Sequence, residues 1–207
     1  MMMARADVPE VVVARLPLYL RALEHMAERG HQVVSSLELG AEAGVSSAQI
    51  RKDLSYFGEF GKQGLGYDVA YLREQLQRIL QLDRCWNMLV VGAGALGHAL
   101  VNYRAFEGHP YRIVAVFDGD PRKVGQPVGH LAIQPMGALC AAIQALDVTI
   151  GILAIPAEAA QGVAEELVSC GIRAILNYAP IHLVLRPGVR VSYLDPVASL
   201  QGMSYFL

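Results

Sequence analysis

The sequence predicts an α/β protein of two unlike parts that meet near residue 84. Three observations carry that prediction. Over residues 1–84 apolar residues recur at helical spacing, broken by capping residues and a glycine turn. Beyond them short β-rich runs alternate with helical stretches. Where the second part begins, the apolar run Met88–Val91 leads directly into Gly92-Ala93-Gly94-Ala95-Leu96-Gly97. A chain of 207 residues fits one domain or two small ones, at about 150 residues per domain.

Residues 9–29 read as the first helix. Val13, Leu16, Leu20, Leu23 and Ala27 keep a three-four spacing, Asp7 is the expected N-cap with Pro9 in the first turn, and Gly30 ends the run. Pro17 lies inside, where it removes a hydrogen bond to Val13, so a kink or a later start is expected. Ser35 and Glu38 form a capping-box pattern before a helix at Leu37–Ala43, and Gly44 supplies a left-handed turn residue. Ser46 and Gln49 repeat the pattern before a helix reaching about Phe57. This is a helix-turn-helix arrangement.

The helix after the turn has two faces. Ile50, Leu54 and Phe57 form its core stripe, whereas Ala48, Lys52 and Ser55 lie opposite, flanked by Gln49, Arg51 and Tyr56. Such a face offers small residues for close approach, cations for phosphate or guanine, and an amide able to read adenine. Residues 58–67, GEFGKQGLGY, carry four glycines among Phe60, Lys62 and Tyr67. Interleaved aromatics argue for a β-hairpin wing with Lys62 reaching DNA, and so for a winged helix. A helix over 68–82 closes the part, with Val69, Leu72, Leu76, Ile79 and Leu80 apolar.

In the second part the GxGxxG loop follows a strand, opens a helix from Leu96 to about Tyr103, and precedes a strand Ile113–Phe117 that ends in Asp118. That context makes it a dinucleotide fingerprint and the part a Rossmann domain. Gly92 makes the turn, Gly94 lets a pyrophosphate approach, and Gly97 allows close packing. Asp118 would hold the adenosine ribose and repel a 2′-phosphate, which favours NAD(H), with Arg122 and Lys123 nearby weakening that preference. A helix near Met136–Leu146, a strand Val148–Ala154, a helix Ala157–Ser169 and a strand Arg173–Asn177 continue a parallel sheet. Ile155-Pro156 and Asn177-Tyr178-Ala179-Pro180 fall at strand ends, the nicotinamide side. After a last strand near Val189–Ser192 the tail holds Val197, Leu200, Met203, Tyr205, Phe206 and Leu207, apolar enough to require cover.

Composition bounds the function. Charged residues are 17% of the chain and hydrophobic residues 54%, against about 25% charged on average. Disorder is excluded and an extra sink for apolar surface, such as a dimer interface, is called for. The longest useful apolar run, Val148–Ala157, is too short for a membrane span, and Arg15 and Pro17 interrupt any leader-like stretch. A net charge of -2 leaves nucleic-acid binding to a local patch. Cys85, Cys140 and Cys170 are far apart with no CxxC, so three buried thiols in a reducing compartment are expected, with no metal site. No histidine pairs with an acid in a recognisable catalytic pattern, and no separate catalytic domain follows the last strand.

The segment Ser46–Tyr67, with its core RKDLSYFGEFGK, resembles the recognition helix and wing of the redox-sensing repressor Rex family. The resemblance continues through Gly92–Gly97, FDGDPRKVG at Phe117–Gly125, IPAEAAQ at Ile155–Gln161 and Asn177–Pro180. It implies a cytoplasmic homodimer with a winged-helix domain at 1–84, an NAD(H)-binding Rossmann domain at 85–194 and a swapped C-terminal helix at 195–207. It further implies repression from an inverted-repeat DNA operator, released by NADH, with NAD+ binding more weakly and competing. Carried over by position, Arg51, Lys52, Ser55, Tyr56 and Lys62 meet DNA. The Gly92–Gly97 loop and Asp118 hold the adenine half, and Ile155, Pro156, Asn177 and Pro180 lie near the nicotinamide. Pro196 stands where the family pattern has an aromatic after the aspartate. The expected switch has Asp195 exchanging Arg21 in the DNA-binding form for Tyr103 in the NADH form. The rival expectation is a small NAD-dependent oxidoreductase or CoA-type Rossmann protein with an accessory DNA domain. A constitutive DNA-organising protein fits the near-neutral charge poorly.

Overall fold

The computed structural model describes residues 8–62 and 64–207, with the backbone alone at Lys62. The Asp7 cap and the start among Met1–Met3 lie outside the described residues. The chain divides into two compact units between Arg84 and Cys85.

The first unit contains α1 (Glu10–Glu28), β1 (Val33–Val34), α2 (Ser36–Ala43), α3 (Ser47–Ser55), β2 (Gly61–Lys62), β3 (Gly66–Asp68) and α4 (Val69–Ile79). α1 runs unbroken through Pro17 and buries Val12, Leu16, Tyr19, Leu20, Leu23 and Met26. Leu16, Leu20 and Leu23 are buried as expected and Ala27 packs against the same core; Val13 instead faces solvent, and Tyr19 enters the core, where its hydroxyl finds a buried partner. The Ser35–Glu38 capping box forms as expected, and Gly44 closes α2 at φ 72°. Only half of the second box forms, because Ser46 Oγ accepts from the Gln49 amide N–H while the Gln49 side chain turns to Asp53. Asp68, passed over in the sequence, caps α4 by accepting from the Tyr71 N–H at 2.8 Å. The glycine-rich hairpin β2–β3 is antiparallel and gains β1 as a third strand, in the order β1-β3-β2. Leu16, Leu23, Leu39, Ile50, Leu72 and Leu76 pack into one core beneath these elements.

The second unit is a seven-stranded sheet in the order β10-β9-β8-β4-β5-β7-β6. Its strands are β4 (Trp86–Val91), β5 (Tyr111–Asp118), β6 (Pro127–Val128), β7 (Leu131–Pro135), β8 (Val148–Leu153), β9 (Ala174–Asn177) and β10 (Arg190–Tyr193). All pairings are parallel except β6 with β7. Helices α5 (Ala95–Val101), α6 (Leu139–Ala145), α7 (Ala157–Ser169) and α8 (Pro196–Ser204) complete it. Alternate strand residues face opposite sides, as the pleat requires. Leu89, Val91, Phe117 and Leu153 pack with α6 and α7, while Met88, Val90, Val116 and Ile152 pack with Leu100 of α5.

Two features depart from the sequence reading. The β6–β7 hairpin was not expected. Its signal was local, Val128-Gly129-His130-Leu131, a two-residue turn with Gly129 at φ 57°. The cysteines are also not three buried thiols. Cys140 in α6 and Cys170 just past α7 are joined in a disulfide with Cα atoms 4.9 Å apart, and Cys85 is free and exposed. Their separation of 30 residues hid the pair, which forms because α6 and α7 pack on one face of the sheet.

Candidate nucleic-acid interface and nucleotide site

In the first unit α3 is anchored by buried Ile50 and Leu54 and turns Ala48, Arg51, Lys52 and Ser55 outward. Tyr56 is half-buried at its end. A hollow of about 830 Å³ opens between this face and the glycine-rich hairpin, lined by Ser36, Arg51, Ser55, Gly58, Phe60 and Tyr67. The hollow therefore presents a cation, serine hydroxyls and aromatic side chains together. Arg51 Nη1 donates to Ser36 Oγ at 2.8 Å, which holds the guanidinium across the turn toward α2. Ser55 Oγ donates to the Lys52 carbonyl at 2.7 Å. Gln49 is held inward, with Nε2 donating to Asp53 Oδ1 at 2.6 Å. To read a base it must first release that bond. The Lys62 side chain lies outside the described residues.

The sequence reading missed the group that aims α3. Asp53 is wholly buried, and it accepts from Arg15 Nε at 2.6 Å, Arg15 Nη2 at 2.8 Å and Tyr19 Oη at 2.6 Å, besides Gln49. Burial pushes its carboxyl up, but the bonds from Arg15, Tyr19 and Gln49 outweigh burial and hold it below the ordinary carboxylate range. Burial, with help from Asp53, pushes the Tyr19 hydroxyl up to about 12.

In the second unit the ends of β4, β8 and β9 are in register: Val91 pairs with Leu153, and Leu153 with Asn177. That register sets Gly92, Ala154 and Tyr178 side by side along the carboxyl end of the sheet, with Ile155-Pro156 next to the glycine loop and the Asn177–Pro180 turn beyond it. Gly92 adopts φ 105°, and a Cβ there would collide with the Ala154 carbonyl oxygen. Gly97 is required for another reason: its Cβ would strike the Gly92 carbonyl oxygen. Gly94 faces open space, with Ala95 and Leu96 exposed beside it, so the loop is accessible to a ligand.

Asp118, at the end of β5, is tied to the loop. Its Oδ2 accepts from the Ala93 N–H and from Lys123 Nζ, and Oδ1 accepts from the Asp120 N–H, each at 2.8 Å. Burial raises its carboxyl, and Lys123 with the two backbone donors lowers it by more. Lys123 thus balances the charge that was expected to repel a 2′-phosphate. Its carboxylate keeps lone pairs able to accept further hydrogen bonds from hydroxyl groups. Arg122 is turned away onto Asp120, whose carboxyl it holds down at about 2.

Asn177 is buried and spends its amide on its own turn, donating to the Ala179 and Ile181 carbonyls and accepting from the Ala179 N–H, all at 3.0 Å. It shapes the strand end and leaves Pro180 exposed. A hollow of about 320 Å³ follows, bounded by Asn177, Ala179, Pro180, His182, Tyr193 and Asp195. The stacked His182 and Tyr193 rings, with centroids 5.3 Å apart, were not anticipated as a pair. Tyr103 is exposed, edge-on to Phe106. Asp195 caps α8 by accepting from the Val197 and Ala198 N–H groups, and Arg21 is an exposed residue of α1. Among the described residues no group of three or more His, Cys, Asp or Glu is placed to hold a metal, and no helix is long and apolar enough to cross a membrane.

Two family models match the chain: "Putative DNA-binding protein N-terminus" over residues 7–55 and "CoA binding domain" over residues 83–181. It is 50% identical over 206 residues to the redox-sensing transcriptional repressor Rex of Chloroflexus aurantiacus, covering 99% of this chain and 97% of that one. The Rex repressor of Brevibacillus brevis is 43% identical, with 97% of each chain covered. Among solved structures, RSP in complex with β-NAD+ and operator DNA superposes with a TM-score of 0.91 at 38% identity, covering 96% of this chain and 92% of that one. RSP in complex with β-NADH gives 0.86 at 36% identity, covering 97% and 94%.

Proposed function

This chain belongs to the Rex family of redox-sensing transcriptional repressors, and we propose on that footing how its residues perform the task. The protein is a DNA-binding repressor that senses the NADH/NAD+ ratio, with NADH binding at the second unit releasing the first from an inverted-repeat operator. The observation that carries this reading is the presence in one chain of an outward cationic helix beside a glycine-rich wing and an open GxGxxG loop tied to Asp118.

Arg51, Lys52, Ser55, Tyr56 and Lys62 are assigned to DNA, with Gln49 joining them once freed from Asp53. Arg51 and Lys52 supply phosphate or guanine contacts; a two-fold dimer would place a second α3 on the other half-site. Gly92–Gly97, Asp118 and Lys123 are assigned to the adenosine and pyrophosphate, and Ile155, Pro156, Ala179 and Pro180 to the nicotinamide. Asn177 acts there by holding the turn. NADH and NAD+ differ at the ring by one hydride and one charge, so an apolar ring site prefers the neutral form. Shifting a dimer from mostly DNA-competent to mostly released takes about 5.5 kcal/mol of differential affinity, which two nucleotides can share.

The chain works as a homodimer in the cytoplasm, with α8 covering a partner subunit, and it catalyses no reaction of its own. Asp195 is the switch: it pairs with Arg21 in the DNA-binding form and with Tyr103 when NADH is bound. Asp195→Ala then weakens the coupling between NADH and DNA more than either binding alone.

A titration of labelled inverted-repeat operator at fixed salt, followed by fluorescence anisotropy, tests the function. NADH should release the DNA at concentrations where NAD+ does little. Operator binding indifferent to both nucleotides would refute the redox reading. The match of residues 83–181 to a CoA-binding model supports one rival ligand, so coenzyme A forms a third arm, and release by it alone would replace NADH as the effector.

A further inference from the structure

We propose that Cys140 and Cys170 form a reversible thiol–disulfide pair through which the second unit registers thiol oxidation separately from the pyridine nucleotide. The Cα separation of 4.9 Å lies within the range that a disulfide spans without backbone movement. Access is one-sided: Cys140 is exposed near the start of α6, while Cys170 is 8% exposed in the core that α6 and α7 share. An oxidant or a small thiol therefore meets Cys140 first. With a peroxide, the Cys140 thiolate attacks one oxygen, the O–O bond breaks, and a sulfenic acid and hydroxide form. The Cys170 thiol then attacks the Cys140 sulfur, closing the S–S bond and releasing water. The two thiols lose two electrons and the peroxide gains them. A dithiol reverses the step by exchange at the exposed sulfur.

The bridge matters to the nucleotide site because of what its loop encloses. Its 30-residue separation contains β8, the Ile155-Pro156 junction and all of α7. Within it lies Ala154, whose carbonyl oxygen abuts Gly92 of the glycine loop. Closing the loop narrows the alternatives open to this wall of the site, so less ordering is left for a nucleotide to impose. The oxidised protein should bind NADH several-fold more tightly. The reversibility and the coupling rest on the proposed function, since a repressor that meets DNA works beside a reducing thiol pool, where disulfides are mostly transient.

Full-length Cys85→Ser protein removes the third thiol from the test. Mass spectrometry after alkylation should find two reactive thiols in dithiothreitol and none after hydrogen peroxide, over repeated cycles. Reduction should lower Tm by several degrees and weaken NADH binding, read by nucleotide fluorescence. Cys140→Ser in the same background should remove both responses. Thiols that stay alkylatable in excess peroxide, or equal NADH affinity in the two forms, would overturn the proposal. Failure of NADH to bind either form would sink the nucleotide reading and the coupling with it. In that case the thiol count and the Tm shift still decide whether the pair exists.

Discussion

Asp53 shows how one carboxylate can set a whole face. It takes four hydrogen bonds from Arg15, Tyr19 and Gln49 while wholly out of water, and so fixes the rotation of α3 against α1. Removing one partner of a buried, bonded charge pair costs about 3–5 kcal/mol. Asp53→Ala should fall near the lower end because Arg15 reaches solvent, and urea unfolding followed by circular dichroism would measure it. Its folded pKa lies below the unfolded carboxylate value of about 3.9. The stabilisation is therefore complete above that value and lost as pH falls through the folded pKa. Asp53→Asn should flatten this acid slope, and an unchanged slope between wild type and variant would assign the titration elsewhere. Asp118 makes a parallel case in the second unit. A hydrogen bond from a ribose hydroxyl to this charged carboxylate is worth about 1.5–3 kcal/mol, so Asp118→Asn should weaken NADH binding at least ten-fold by fluorescence titration.

At the scale of elements, what was legible in the sequence followed the range of each signal. The capping box at Ser35–Glu38, the Gly44 turn and the GxGxxG loop are local patterns, and each stands where it was expected. The β6–β7 hairpin was equally local but its Gly-His turn was passed over. Other features depend on residues brought together from afar. Asp53 meets Arg15 across 38 positions and Tyr19 across 34, and Cys140 meets Cys170 across 30. No periodicity encodes such meetings, since they follow from how helices pack after they form. The glycine loop yields a prediction that separates folding from binding. A Cβ at Gly92 collides with backbone, so Gly92→Ala should damage the fold and the site together. Gly94 has φ -88°, and a Cβ added there would meet no atom within 4 Å. Gly94→Ala should keep the wild-type Tm and lose NADH affinity, and retained affinity would place the pyrophosphate elsewhere.

For the molecule as a whole, the decisive feature is an apolar surface that a single chain leaves uncovered. Val197, Leu200, Met203, Tyr205, Phe206 and Leu207 are all exposed, Phe206 at 84%, and α8 has no buried residue. Covering a large apolar side chain is worth about 1.5–3 kcal/mol, so six of them make a strong drive toward association. The proposed cover is a second copy of the chain, with α8 reaching onto its partner. Asp195 then has a place at the root of that reach, capping the helix through one carboxylate oxygen, Oδ1. Deleting residues 196–207 should leave both compact units folded, because α8 contributes nothing to either core. Sedimentation velocity should show the truncated chain as a monomer where the full chain is a dimer. A monomer also presents one α3 in place of two, so its affinity for an inverted repeat should fall to that for a single half-site. A truncated chain that remains dimeric would move the interface to another surface and detach Asp195 from any exchange between subunits.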